Sequence, residues 1–174
     1  YGLALAYFQN KNYKQANDIN MQLLKEAPYN LFYIDLASDL AIEMGELTGI
    51  IDTLTSYERH FLDNQVILLN LVIALQKNKQ YELAEKKLEL FLRSHPKHIL
   101  AHQIAISLYK RMNEKAKEHA IRAEYLALKG RFREASEEMG SALVYTKNRL
   151  DQARYSARIE QFKISDIRLK SLQE

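Results

Sequence analysis

Residues 81–96 read YELAEKKLELFLRSHP, and residues 13–28, YKQANDINMQLLKEAP, set out the same frame 68 positions earlier. In both, an aromatic (Tyr13, Tyr81) precedes a small residue by three (Ala16, Ala84), and a proline follows twelve later (Pro28, Pro96). The interval of 68 is twice 34, and the midpoint keeps the frame in weaker form. There Ile50 follows Leu47 by three, stands behind Gly45-Glu46, and has Leu62 at the proline position. A fixed period of this length is the mark of stacked repeats. Around these positions apolar residues recur at helical spacing: Leu68, Leu71, Val72 and Leu75, then Leu83, Ala84, Leu88 and Phe91. A small residue lets two helices approach, an aromatic fills the space beside it, and proline ends the second helix.

This pattern resembles the tetratricopeptide repeat, which implies an all-α solenoid of antiparallel helix pairs. In that frame the units are a partial one over 1–30, then 31–64 and 65–98, with Ala4, Ser38 and Val72 at the small position of the first helix. Beyond 98 the phase slips. The run Gly130-Arg131-Phe132-Arg133-Glu134-Ala135 is again a mid-repeat turn, so the last unit begins near Ala116, only 17 residues after Ile99. The reading is a half unit over 99–115, a unit over 116–149, and a long charged capping helix over 150–172. About ten helices result, in one domain over 1–174, with one helix closing one unit and opening the next. Terminal repeats need such a polar cap.

The composition agrees with long helices. Of 174 residues, 47% are hydrophobic and 27% charged, and only 2 prolines and 5 glycines interrupt them. There are 0 cysteines, which excludes disulfides, thiolate zinc sites and a cysteine nucleophile. No apolar run reaches the roughly 18 residues a membrane span needs. The chain opens at Tyr1 in mid-pattern, with no start methionine and no signal peptide, and reads as a piece of something longer. The net charge of +3 is too small to argue for nucleic acid. It is unevenly spread: residues 1–64 carry 4 basic and 9 acidic side chains, and residues 65–174 carry 21 and 13. Such polarity can orient a partner, though a solvated surface accounts for it equally.

Few residues suggest chemistry. His98 and His102 are four apart, a spacing zinc sites use, but Pro96 separates His95 from them and no acid lies among the three. Packing or surface roles are expected. Asp35 and Asp39 could pair on one helix, yet no histidine or metal ligand accompanies them, and solvated carboxylates are expected. Lys86-Lys87 and Lys110-Arg111 are too short for a nucleic-acid face.

In this repeat, positions 2, 5, 9, 12 and 13 of each unit point into a groove. They are Phe32, Asp35, Asp39, Ile42 and Glu43 in the unit from 31. Val66, Leu69, Ile73, Gln76 and Lys77 follow in the unit from 65, and Leu100, Gln103, Ser107, Lys110 and Arg111 in that from 99. The groove should run from acidic through apolar to basic, with Val66, Leu69 and Ile73 as an exposed apolar contact. The alternative is that a neighbouring helix or another domain covers them. Leu5 and Leu69 stand where a terminal-carboxylate clamp needs polar residues, so that mode is not expected. An extended client with apolar side chains suits the groove better. Leu92 and Arg93 are a secondary contact candidate.

The stretches Arg122-Ala123-Glu124-Tyr125-Leu126-Ala127-Leu128-Lys129-Gly130-Arg131-Phe132 and Ala153-Arg154-Tyr155-Ser156-Ala157-Arg158-Ile159-Glu160-Gln161 are more specific than the repeat. They resemble the C-terminal tetratricopeptide domain of the beta-barrel assembly-enhancing protease family. The family's members are periplasmic zinc metalloproteases of Gram-negative bacteria with an HExxH catalytic domain. The resemblance covers essentially the whole chain. It implies a periplasmic location and a module that docks on the barrel-assembly machinery and on unfolded outer-membrane proteins. No HExxH occurs here, so no catalytic or metal residue carries over, and zinc is expected only in a protease domain outside this sequence. That domain is itself an implied partner, which leaves open a regulatory lid or a generic adaptor.

Overall fold

The computed structural model describes residues 1–172, and every regular element among them is an α-helix. The order is α1 (Gly2–Gln9), α2 (Tyr13–Glu26), α3 (Leu31–Met44), α4 (Leu47–His60) and α5 (Gln65–Lys77). It continues with α6 (Tyr81–Ser94), α7 (Ile99–Met112), α8 (Lys115–Leu128), α9 (Phe132–Tyr145) and α10 (Arg149–Ser171).

Two kinds of turn alternate along the chain. After α1, α3, α5 and α7 one residue takes the left-handed conformation: Lys11, Gly45, Lys79 and Asn113, with φ of 61°, 79°, 62° and 59°. The next N–H reaches back five residues to a carbonyl, as in Asn12 to Tyr7 (2.9 Å), Glu46 to Ala41 (2.8 Å), Gln80 to Leu75 (2.9 Å) and Glu114 to Tyr109 (3.0 Å). This is the helix-ending hydrogen bond that satisfies an orphan carbonyl of the last turn. The second kind starts a helix with a side-chain cap. Asn30 Oδ1 accepts from Phe32 N at 3.0 Å, Asn64 Oδ1 from Val66 N at 3.0 Å and Ile67 N at 3.2 Å, and His98 Nδ1 from Ala101 N at 3.2 Å.

Both series keep the 34-residue period until α8, where the alternation breaks. Gly130 (φ 74°) is left-handed and Arg131 N donates to Leu126 O at 3.0 Å, so the turn made at Asn113 recurs 17 residues later. α8 packs on both α7 and α9. It therefore ends one helix pair and begins another, which is the half-repeat irregularity in physical form. The next capped start is Asn148, whose Oδ1 accepts from Leu150 N at 2.9 Å.

The chain divides into two compact units, Tyr1–Lys87 and Leu88–Glu174 (described to Leu172). In a repeat stack each pair touches only its neighbours, so no single core ties all parts together. In the first unit Ala4, Ala16, Leu36 and Leu40 form a core with Tyr7, Phe8 and Tyr13 against it. Two of its buried polar side chains donate to backbone: Asn20 Nδ2 to Tyr33 O at 2.9 Å and Ser38 Oγ to Ile34 O at 2.9 Å. In the second unit α10 packs on α9. Its core gathers Ala123, Leu126, Ala135, Met139, Ala142, Tyr155 and Phe162. Ala123 and Ala135 are the small residues of the shifted frame, and both are fully buried.

Candidate protein-binding surfaces

In the first unit α3 packs on α5 and carries an acidic row at helical spacing, Asp35, Asp39 and Glu43. Asn70 on α5 donates to Asp35 Oδ1 at 2.8 Å, and the Tyr13 hydroxyl donates to Glu43 Oε2 at 3.1 Å. Asp39 lies between these two acids. Burial first, then the charges of Asp35 and Glu43, hold its carboxyl above the ordinary range. Tyr1 stands beside the row, its ring 6.1 Å from Phe32 and 5.5 Å from Tyr33. Its hydroxyl is pushed up by burial first, then by Asp35 and Asp39.

Phe32 is 67% exposed at the start of α3, and Val66 is 37% exposed at the start of α5. Ile73 is half-buried. Leu69 and Gln76 depart from the expected open groove: each is only 5% exposed. The reason lies in α5. Eight of its 13 residues are buried, Leu71, Val72 and Leu75 among them, and a helix that is apolar nearly all round is covered on most sides. The open apolar contact is thus Phe32 and Val66 with part of Ile73, beside an acidic row.

In the second unit Gln103, Lys110 and Arg111 are exposed on α7. Gln103 Nε2 donates to the Tyr125 hydroxyl at 3.0 Å. Lys129 lies 4.5 Å from the Tyr125 ring centre and, with Gln103, lowers that hydroxyl's pKa, Lys129 contributing most. Lys110 and Arg111 occupy the last turn of α7, where a cation offsets the partial negative charge of the helix end. At the end of α6, Leu92 is half-buried and Arg93 exposed. The three histidines have local partners. His98 caps α7, His102 is buried and donates from Nδ1 to His98 O at 2.9 Å, and His95 stacks on Phe91 at 4.4 Å.

A pocket of about 670 Å³ in the second unit was missed by the groove positions taken from 31, 65 and 99. The signal for it was in the sequence. The same rule applied to units starting at 116 and 150 selects ten residues. Seven of them, Lys117, Ala120 and Glu124 on α8 and Asp151, Arg154, Arg158 and Gln161 on α10, line this pocket, while Ala127, Leu128 and the buried Phe162 do not. Arg158 bridges its two helices, with Nε at 2.7 Å from Glu124 Oε1 and Nη2 at 2.6 Å from Oε2. Arg154 pairs with Asp151 at 3.1 Å. Lys117 lies 5.6 Å from the centre of the Tyr109 ring.

Over its whole length the chain aligns with proteins of one description. It is 29% identical over 175 residues to the beta-barrel assembly-enhancing protease of Yersinia pestis, covering 100% of this chain and 36% of that protein. It is 30% identical over 171 residues to the protein of the same name from Escherichia coli K12, covering 98% of this chain and 35% of that protein. The chain is a relative of the beta-barrel assembly-enhancing proteases. It spans about a third of the length of these relatives. A solved tetratricopeptide repeat protein from Parabacteroides merdae matches in fold with a TM-score of 0.60, over 92% of this chain and 68% of that one, at 12% identity. At that identity the likeness shows the tetratricopeptide-repeat fold alone. No family model matches the sequence. Among the described residues, no helix is long and apolar enough to cross a membrane, and no group of three or more His, Cys, Asp or Glu is placed to hold a metal ion.

Proposed function

We propose that this chain is the C-terminal protein-interaction domain of a periplasmic zinc metalloprotease, docking it on the outer-membrane barrel-assembly machinery and bringing it misassembled barrel substrates. The observation that carries this reading is the alignment of essentially the entire chain with two proteases named for enhancing barrel assembly. The chemistry of hydrolysis and its zinc would reside outside this sequence. The repeat fold supplies a protein-binding scaffold, and the face of α3 and α5 supplies the contact. Exposed aromatic and aliphatic side chains there can bury against a client, while Asp35, Asp39 and Glu43 orient it by charge.

Photo-crosslinking from single positions of the whole protein in cells tests the proposal. Probes at Phe32, Val66 and Ile73 should capture barrel-assembly proteins or incomplete barrels, identified by antibodies to each. Probes at Asp52 on α4 and Lys86 on α6, both exposed on second helices of their pairs, should capture far less. Capture confined to those two positions would reject the α3–α5 face.

A further inference from the structure

We infer that the α8–α10 pocket is a second peptide-binding site, taking an uncharged, extended stretch of a partner polypeptide and burying its apolar side chains. The inference rests on the protein-binding reading above and adds to it a place and a ligand chemistry.

Three observations carry it. The first is register. The repeated left-handed turn at Asn113 and Gly130 puts α8 in the role of a first helix, and α10 takes that role one repeat later. Seven of the thirteen lining residues therefore stand at inward positions of the repeat, the same positions that form the α3–α5 face. The second is charge. Arg158 is held by both oxygens of Glu124 and also donates to Gln161 Oε1 at 2.7 Å, and Arg154 is paired with Asp151. With Lys117 and Glu89 the lining holds three cations and three acids, so the pocket carries no net charge to favour a charged ligand over an uncharged one. The third is shape. Ala120 and Ile121 on one wall and Ala157 on the other are apolar, and Met139 and Tyr155 close the floor from below, both buried. A volume of about 670 Å³ exceeds what one side chain fills and lies within the range of ligand-binding pockets.

An extended chain sends alternate side chains to opposite sides. Laid between α8 and α10, it would place one apolar side chain on the alanine and isoleucine wall. Its backbone N–H and C=O groups would meet the Gln161 amide and the remaining donors of Arg154. Arg154 is exposed beyond its single ion pair, so it can accept this role without leaving Asp151.

The test is fluorescence anisotropy of short labelled peptides with this chain. One peptide alternates Leu and Thr, and analogues carry Lys or Glu in place of Leu. The neutral peptide should bind and both analogues should bind at least about tenfold more weakly. Ala157→Trp should weaken the neutral peptide about tenfold or more, because the indole occupies the pocket from an exposed position. Ala157→Leu should give an intermediate loss and covers any disturbance of α10 by the larger ring. Asp52→Asn, at an exposed position of α4 outside both surfaces, should leave this affinity unchanged, and Ile73→Asp reports any binding at the α3–α5 face. No binding of the neutral peptide, equal binding of the charged analogues, or binding that ignores Ala157 and responds to Ile73 would each overturn the inference. The last outcome would leave the α3–α5 reading standing, and the crosslinking experiment tests that reading separately.

Discussion

Glu124 and Arg158 stand 34 residues apart, at the same position of successive units, and join α8 to α10 through two hydrogen bonds of 2.7 and 2.6 Å. The pair exists because the repeat slips. In the unshifted frame α8 would be a second helix and Glu124 would not share a face with α10. Both side chains are about a third exposed, so the paired geometry counts for more than the bare charges. A double-mutant cycle of Glu124→Gln and Arg158→Gln, read by urea unfolding, should give a coupling of about 0.5–1 kcal/mol. Raising the salt concentration should reduce it only in part. A coupling near zero would mean that packing of Arg158 over the Phe162 ring, 4.5 Å away, holds the guanidinium instead.

The left-handed turns divide by residue type. Gly45 and Gly130 adopt positive φ without penalty, while Lys11, Lys79 and Asn113 do so against the side chain. Lys79→Gly should therefore stabilise the chain by up to about 1 kcal/mol, and Gly130→Ala should destabilise it by a similar amount. A Cβ at Gly130 meets nothing within 4 Å, so the cost would be conformational rather than steric. Chemical denaturation of both variants checks the pair of signs. A stabilising Gly130→Ala would show that the turn is not under conformational control.

These turns also show what was legible in the sequence and what was not. Gly45-Glu46 and Gly130-Arg131-Phe132 announce the turn through glycine, and from them the period and the slip could be read. Lys11, Lys79 and Asn113 make the same turn with no residue that demands it, and only the 34-residue spacing betrays them. Leu69 illustrates the opposite limit. Its position in the repeat marks it as groove-lining, but α5 is apolar on nearly every face. No polar stripe distinguishes its open side, so burial depends on neighbours that periodicity does not specify. The pocket between α8 and α10 lay between these cases. About half of its lining follows from the groove rule once the slip is carried through to 116 and 150, and the rest, Met139 and Tyr155 among it, comes from packing that the rule does not specify.

Phe162 and Leu40 report on the two cores separately. Phe162 is buried among Met139, Tyr155 and Ala142, and Leu40 lies fully buried beside Ala4 and Ala16. Phe162→Ala should cost about 3–5 kcal/mol and Leu40→Ala about 2–5 kcal/mol. In a repeat protein each loss is expected to fall mainly on its own unit. Native-state hydrogen exchange should lose protection in α8–α10 for the first variant and in α1–α3 for the second. Equal loss throughout the chain in both variants would show that the units unfold as one.

Asp39 offers a pH-dependent test of the acidic row. Its carboxyl is held above the ordinary value of 3.8 by burial first, then by Asp35 and Glu43. The folded chain therefore binds this proton more tightly than the unfolded chain does. Stability attributable to the group falls as pH rises from 3.8 through the raised value, and the penalty is complete above it. Asp39→Asn removes the charge and should raise the melting temperature at neutral pH. Asp39 is only partly covered and keeps substantial contact with solvent, so screening keeps the gain to about 1–2 °C. At about pH 3, where the carboxyl is protonated in both states, the gain should vanish. Thermal melts of the two chains at both pH values decide the matter. A gain of equal size at both would trace the effect to the amide's own hydrogen bonds, and the row would then be no seat of mutual repulsion. If the gain does vanish at low pH, a cationic segment of a client laid along Asp35, Asp39 and Glu43 would relieve the same repulsion on binding, and its affinity should fall with added salt.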